Sequence, residues 1–469
     1  MLNNTIPNTV KTVHMIAICG TGMGALACML KDLGLNVKGS DYNVYPPMST
    51  FLSDKGVPVL QGFAPSHLDP QPDLIIVGNT VSKDNPQVTA MIENNIPCCS
   101  MPQAIQHFFG NRKILLVTGT HGKTTTSSLL SWILYTARQD PSFFIGGIVQ
   151  NFSSNYRIGN GPYMVIEGDE YDTAFFDKSP KFLHYKPSHT ILTSIEFDHA
   201  DIYRDLSHVK ESFRCLIMGL SAESLLLAYN PNENVQELIK NPPCRCETYG
   251  HMDSHWHIQS IGYNLPYTQF EVYSNNQFFY HFQTPLMGEH NLSNILAVIA
   301  VAADLGIKKS DMAKAIELFQ GIKRRQEVRG IKNGITIMDD FAHHPTAVLE
   351  TLKAVKPFYS NGRIIAVFEP RTNSSRRRVF QNVYPDVFYP ADIVCIRQAP
   401  LLEKIPENER FSSQELVDKL NQKGQDAHYF ETTDQIIDFV VQTARANDLV
   451  IVMSNGGFDN IHVRLLEQL

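Results

Sequence analysis

Lys123 and Thr124 close the stretch Gly119-Thr120-His121-Gly122-Lys123-Thr124, with Thr125 next in line. An ammonium followed at once by a hydroxyl, behind glycines, is the pairing that triphosphate chemistry needs. The ammonium can meet β- and γ-phosphates and the hydroxyl can ligate Mg2+. The full phosphate-loop formula places a glycine five residues before the second one. Here Val117 stands at that position, so the loop is shortened. Its setting is kept: the apolar run ILLV (114–117) precedes it and SSLLSWILYTA follows, which reads as strand, turn and helix. A threonine-rich helix start alone would explain the hydroxyls, but not two glycines and a lysine beside them.

A metal needs a carboxylate as well as a hydroxyl, and Glu167 heads the run EGDEYD (167–172) behind the apolar YMVI. Four acids in six residues repel one another unless solvated or bound to a cation; a merely solvated acidic loop has the same spacing. Farther on, EFDHAD (196–201) again follows an apolar strand. His199 lies between carboxylates there and is a second candidate ligand.

A second glycine-rich turn precedes both. Gly20-Thr21-Gly22-Met23-Gly24-Ala25 follows HMIAIC (14–19) and opens a helix, and Asp41 ends the next strand about 20 residues later. By itself this pattern says dinucleotide. Any diphosphate would suit a helix N-terminus, a nucleotide sugar included, and a tight turn that merely needs glycines is the plainer account.

The elements that must position these residues alternate between strands and helices, so the expected class is α/β with parallel sheets. With 469 residues the chain exceeds one ordinary core. Three domains are expected: 1–110, a Rossmann-like domain; 111–324, a central P-loop ATPase-like domain; and 325–469, a C-terminal Rossmann-like domain beginning after GIKRRQEVRG and built on ITIMDD, RIIAVFEP and DLVIVMSNGG. The aromatic-rich stretch 245–282 reads as an antiparallel insert. A net charge of −7 argues against a nucleic-acid binder. No run approaches the 18 apolar residues of a membrane helix, and the N-terminus lacks a signal-peptide core, so a cytoplasmic location is expected. Eight cysteines without a C-x-x-C fit reduced thiols rather than disulfides or a zinc site.

Read together, GTHGKTTT, EGDEYD, EFDHAD, GEHNLSN (288–294), KRRQEVRG, DDFAHHPTA (339–347), FEPRTN (368–373) and MSNGGFDNIH (453–462) resemble the Mur ligases in their order along the chain. These are ATP-dependent amino-acid and peptide ligases of peptidoglycan synthesis, and the resemblance spans about residues 20 to 460. Their phosphate loop has the short form G-T-x-G-K-T, so Val117 is no defect. The resemblance implies that Gly119, Thr120, His121, Gly122, Lys123, Thr124 and Thr125 cradle ATP, with Lys123 on the γ-phosphate. Thr124 and Glu167 would ligate Mg2+, and His199 would approach a second Mg2+. His290, Asn291 and Asn294 would contact the adenine and its surroundings, and Arg325 and Asp340 would close over ATP. Gly20, Thr21, Gly22, Met23 and Gly24 would take a UDP diphosphate rather than NAD, with Asp41 beside them. Some members carry a carbamylated lysine for the second metal; Phe213 occupies the position aligned with it here, with Lys210 nearby.

The implied reaction is carboxylate activation. The lactyl carboxylate of UDP-N-acetylmuramate attacks the γ-phosphate of ATP, and the amine of a murein peptide then displaces phosphate from the acyl phosphate. His343 or His344 would deprotonate the amine, unless they serve as helix caps before Pro345. Arg371, Asn373, Ser454 and Asn455 would bind substrate at the third sheet. EGDEYDTAFFDK, FEPRTN and MSNGGF point to members that attach the ready-made tripeptide L-Ala-γ-D-Glu-meso-diaminopimelate, with an L-alanine-adding member as the alternative. A monomer or weak dimer is expected. A nicotinamide-dependent oxidoreductase would leave Lys123 and Thr124 unexplained. A non-catalytic nucleotide sensor would have no use for Arg325, Asp340 and Arg371.

Overall fold

The run LIIV is buried at every residue of the strand Leu74–Val77, as are IIAVF in Ile364–Phe368 and LVIVM in Leu449–Met453. Strands with no polar alternation must be covered on both faces, the condition of a parallel sheet between helices. The computed structural model describes residues 2–42, 44 and 48–469 and contains three such sheets.

In the first, Val59–Gln61, Asn36–Asp41, Thr12–Ile16, Leu74–Val77 and Cys98–Ser100 lie side by side in that order, all parallel. The order reverses beside Thr12–Ile16, so the glycine-rich turn that follows this strand opens at a topological switch point, where open α/β sheets bind ligands.

The second sheet has ten strands. Lys113–Thr118 lies inside it, paired in parallel with Tyr163–Gly168 on one side and Pro187–Leu192 on the other. Three neighbouring strands therefore deliver their carboxyl ends to one place: the phosphate loop from the middle, EGDEYD from one flank and EFDHAD from the other. The expectation of an antiparallel insert at 245–282 is corrected. Arg245–Gly250 pairs in parallel with Leu225–Tyr229, and Trp256–Asn264 joins it in parallel; only the pairings among Trp256–Asn264, Tyr267–Ser274 and Gln277–Thr284 are antiparallel. The stretch extends the main sheet, because Tyr249, Trp256, Phe270 and Phe282 bury themselves in the same core as Leu115 and Val117.

The third sheet runs Glu327–Lys332, Ile335–Asp340, Leu449–Met453, Ile364–Phe368, Ile393–Arg397 and Asp426–Phe430, with only the first antiparallel. Leu449–Met453, last in sequence, inserts between two earlier strands. The carboxyl ends at Asp340, Glu369 and Ser454 become neighbours by that insertion.

Specific bonds join the three sheets' layers. Tyr156 donates its hydroxyl to Asp32 Oδ2 (2.9 Å), which also pairs with Lys55 (3.0 Å). Across the other junction Ser374 Oγ donates to Asp198 Oδ1 (2.8 Å), and Asn373 Nδ2 donates to Asp201 Oδ2 (2.8 Å). Among the described residues no helix is long and apolar enough to cross a membrane.

Candidate active site

The backbone of the phosphate loop explains its glycines. Gly119 has φ +127° and Gly122 φ +79°, in the region that side chains disfavour. A Cβ on Gly119 would also run into Thr193 and Ser194, and one on Gly122 into Asn294. Gly122 caps the helix Lys123–Thr136 without any side-chain bond, so the first amides of that helix stay open to an anion.

Lys123 Nζ lies 2.8 Å and 3.0 Å from the two oxygens of Glu170 and 2.7 Å from Gly119 O. Burial works against its charge, but Glu170 and Asp169 outweigh this and hold the ammonium above its ordinary pKa. Thr124 Oγ1 donates to Glu167 Oε1 (2.9 Å), and Gly146 N donates to Glu167 Oε2 (2.8 Å). Burial still raises the Glu167 carboxyl above the usual range, despite Gly146 and Lys123. A hydroxyl and a carboxylate in contact, with that carboxylate short of positive charge, suit a hard cation such as Mg2+.

Glu170 also binds His199 Nε2 (3.1 Å). Burial disfavours the imidazolium, but Glu170 and Asp198 more than offset it and raise the His199 pKa. Asp169 pairs with Lys181 (2.6 Å). The place aligned with a carbamylated lysine holds no amine: Phe213 is buried against Phe182, and Lys210 reaches Glu237 (2.6 Å) instead.

From the third sheet, Asp340 accepts from Gln326 N (2.8 Å) and Ala342 N (2.7 Å); burial raises its pKa, opposed by Arg325. The Arg325 guanidinium lies 5.0 Å from the centroid of the Phe341 ring. His343 Nδ1 bonds Phe341 O (2.9 Å), and burial lowers its pKa although Asp198 opposes this. His344 caps the helix Pro345–Val355 through its ring, and its pKa falls to about 4 on burial. The cap expected around Pro345 is thus His344, which leaves His343 as the other candidate base. His290 is also lowered to about 4, chiefly by burial and then by Arg325. Asn291 Nδ2 donates to Met287 O (2.8 Å), and Asn294 Nδ2 to Asn291 Oδ1 (3.4 Å). Asn294 backs the phosphate loop at Gly122.

Arg371 lies 3.5 Å from Glu369 and against Gly456. Ser454 Oγ donates to the buried Glu369 (2.6 Å), and Asn455 Oδ1 is buried without a partner among the described residues. Asn373 is committed to Asp201 and to Arg376 (2.7 Å). In the first sheet Gly20 caps the helix Thr21–Asp32 with no side-chain bond, and a Cβ on Gly22 would meet Met101 and Phe144. Asp41 accepts from Cys19 N (2.9 Å) and so braces the turn from beneath. Met23 is buried in the same core as Ala25.

Sequence reasoning overlooked Glu170, Glu196, Thr346 and Glu369. Glu170 sat in the acidic run, but only the lysine's reach singles it out. Glu196 binds His121 (3.3 Å) and Thr346 Oγ1 (2.7 Å), a contact between the second and third sheets that no local pattern encodes.

Comparison with known proteins covers the whole chain. The Mur ligase family catalytic domain matches residues 12–113, the Mur ligase middle domain residues 117–302, and the Mur ligase glutamate ligase domain residues 324–456. The UDP-N-acetylmuramate–L-alanyl-gamma-D-glutamyl-meso-2,6-diaminoheptandioate ligase of Haemophilus influenzae is 39% identical over 461 residues, covering 98% of this chain and 99% of that one. The UDP-N-acetylmuramate–L-alanine ligase of Syntrophomonas wolfei is 31% identical over 98% of this chain and 97% of its own length. Among solved structures, the murein peptide ligase mpl of Psychrobacter arcticus superposes with a TM-score of 0.71 at 32% identity, over 97% of this chain and 98% of that one. With its short phosphate loop, its acidic flanks and three family domains matched in order along it, the chain belongs to the Mur ligase family.

Proposed function

We propose that this ligase joins the tripeptide L-Ala-γ-D-Glu-meso-diaminopimelate to UDP-N-acetylmuramate at the expense of ATP, in the cytoplasm. The observation that carries the reading is that Lys123, Glu167 and Glu170 gather at the ends of neighbouring strands where the third sheet meets the second through Ser374 and Thr346, in a chain 39% identical to a relative named for that activity.

In this reading Lys123 exchanges Glu170 for the γ-phosphate, and the open amides of Lys123–Thr136 take the neighbouring phosphates. Thr124 and Glu167 would hold Mg2+, which when bound neutralises phosphate charge. Glu170 and His199, left by the lysine, balance each other's charge. Arg325 and Asp340 position the nucleotide from the hinge between the second and third sheets. The glycine turn at Gly20–Gly24 takes the UDP diphosphate and presents the lactyl carboxylate, whose oxygen attacks the γ-phosphorus. ADP leaves and an acyl phosphate remains.

His343, neutral at physiological pH because burial lowers its pKa, accepts the ammonium proton of the incoming peptide. The amine nitrogen then forms the amide as phosphate leaves. Arg371 can grip a peptide carboxylate through two parallel hydrogen bonds. The protein thus works mainly by placement and charge.

Phosphate release with UDP-N-acetylmuramate and ATP, measured against L-alanine, tripeptide and tetrapeptide, tests the reading. The tripeptide should give the highest kcat/KM. Faster release with L-alanine would instead assign the chain to the single-amino-acid ligases.

A further inference from the structure

His121, Glu196 and His344 come from three separate segments: the phosphate loop, the strand-end run EFDHAD and the cap of Pro345–Val355. Their ligand atoms lie within 4.8 Å of one another. His121 Nε2 is 3.3 Å and His344 Nδ1 3.8 Å from the same oxygen, Glu196 Oε2. Donors about 2.1 Å from a zinc ion in a tetrahedron stand roughly 3.4 Å apart, so the two separations to Glu196 match, and a shift of the two imidazoles toward each other of up to about 1 Å completes the geometry.

The protonation pattern favours a cation. His344 Nε2 faces Phe197 O (3.3 Å) and Nδ1 accepts from Thr346 N (3.3 Å), so the proton belongs on Nε2, and a cation on Nδ1 takes the place of that long cap bond. That lone pair and the Glu196 carboxylate are both acceptors 3.8 Å apart, each served by a donor of Thr346. The surroundings resemble the outer partners of metal ligands: a carbonyl fixes the His344 tautomer, and Thr346 Oγ1 donates to the Glu196 carboxylate (2.7 Å). His121 and Glu196 keep about a quarter of their side-chain surface exposed, which leaves an ion a way in.

We propose that His121, Glu196 and His344 form a binding site for a transition-metal dication of the zinc class, with water as the fourth ligand. Two imidazoles and one carboxylate suit zinc and are poor ligands for Mg2+. The site is separate from the Thr124–Glu167 pair. An ion there ties the phosphate loop to the third sheet's first helix.

The test is zinc binding by the full chain, stripped with a chelator and titrated calorimetrically in excess Mg2+. One equivalent should bind. His344→Gln and Glu196→Gln should each weaken binding at least about a hundredfold, more than loss of an outer partner does. His199→Gln, in the neighbouring cluster, should bind as the parent does. Co2+ in place of zinc should show visible ligand-field bands without thiolate charge transfer, a readout on the parent that does not depend on how the variants fold. No binding, binding unchanged in both His344→Gln and Glu196→Gln, loss only in His199→Gln, or a thiolate band would each overturn the site and leave an ordinary His121–Glu196 ion pair.

Discussion

At the scale of single residues, the cluster around the phosphate loop is a set of charges that satisfy one another. Lys123 shows this most directly, since its ammonium is held by Glu170 and the loop carbonyl of Gly119. Lys123→Ala should lower kcat at least about a hundredfold, the usual loss when one electrostatic group is removed from a transition state. Phosphate release in a steady-state assay measures it, and activity within a few-fold of the parent would remove Lys123 from the reaction. Glu167→Gln keeps the shape but not the charge that a hard cation prefers. The variant should need more Mg2+ for half-maximal activity and recover partly when Mg2+ is raised. A Mg2+ dependence equal to the parent's would move the ligand role to another acid of EGDEYD.

At the scale of elements, what matters is how each strand or helix end holds its backbone. Gly122 sits at φ +79° at the start of Lys123–Thr136, with Asn294 where a Cβ would go. Gly122→Ala should cost about 1–2 kcal/mol from the left-handed backbone alone, and the displaced Asn294 should weaken nucleotide binding beyond that. Thermal unfolding and titration with a fluorescent ATP analogue read the two effects, and parent-like values in both would show that the loop adapts.

The strand Thr12–Ile16 carries a different liability. His14 is fully buried, and burial first, then Lys38, lowers its pKa to about 4 from an ordinary 6.5. Above pH 6.5 neither the folded nor the unfolded ring is protonated. Between 6.5 and 4 the unfolded chain takes a proton that the folded ring refuses, so stability falls with pH, by about 3 kcal/mol when complete. His14→Gln should therefore lose less Tm than the parent between pH 7.5 and 4.5; parallel curves would mean that His14 titrates normally.

At the scale of the whole molecule, the third sheet meets the second through a few specific polar contacts. Ser374 Oγ donates to Asp198 Oδ1 and accepts from Ala200 N (3.2 Å), and Asp198 is buried. Ser374→Ala takes one donor from a buried carboxylate, a loss of about 1–3 kcal/mol from the junction. The nucleotide-free variant should show a larger radius of gyration by small-angle X-ray scattering and a raised KM for the peptide. An unchanged radius and KM would show that closure rests on the other contacts.

What the sequence determined by itself was everything local. Strands such as Leu74–Val77, Tyr163–Gly168 and Ile335–Asp340 were legible because unbroken apolar or β-branched runs end at glycines and acids. The phosphate loop was legible because φ above zero and close packing admit only glycine at 119 and 122, and the family resemblance followed from the order of such motifs. The parallel extension at 245–264 was not legible, because a half-buried aromatic strand has the same alternation whichever way its neighbour runs. Nor were the partners of Glu170, Glu196 and Glu369. A carboxylate's role depends on which ammonium, imidazole or hydroxyl lies within about 3 Å. Glu170 meets Lys123 and His199 because three strands of the second sheet lie side by side, Glu369 meets Ser454 because Leu449–Met453 inserts between Ile335–Asp340 and Ile364–Phe368, and Glu196 meets Thr346 where the third sheet packs on the second. Tertiary structure alone decided them, because long-range packing, not chain neighbourhood, brings the charges together.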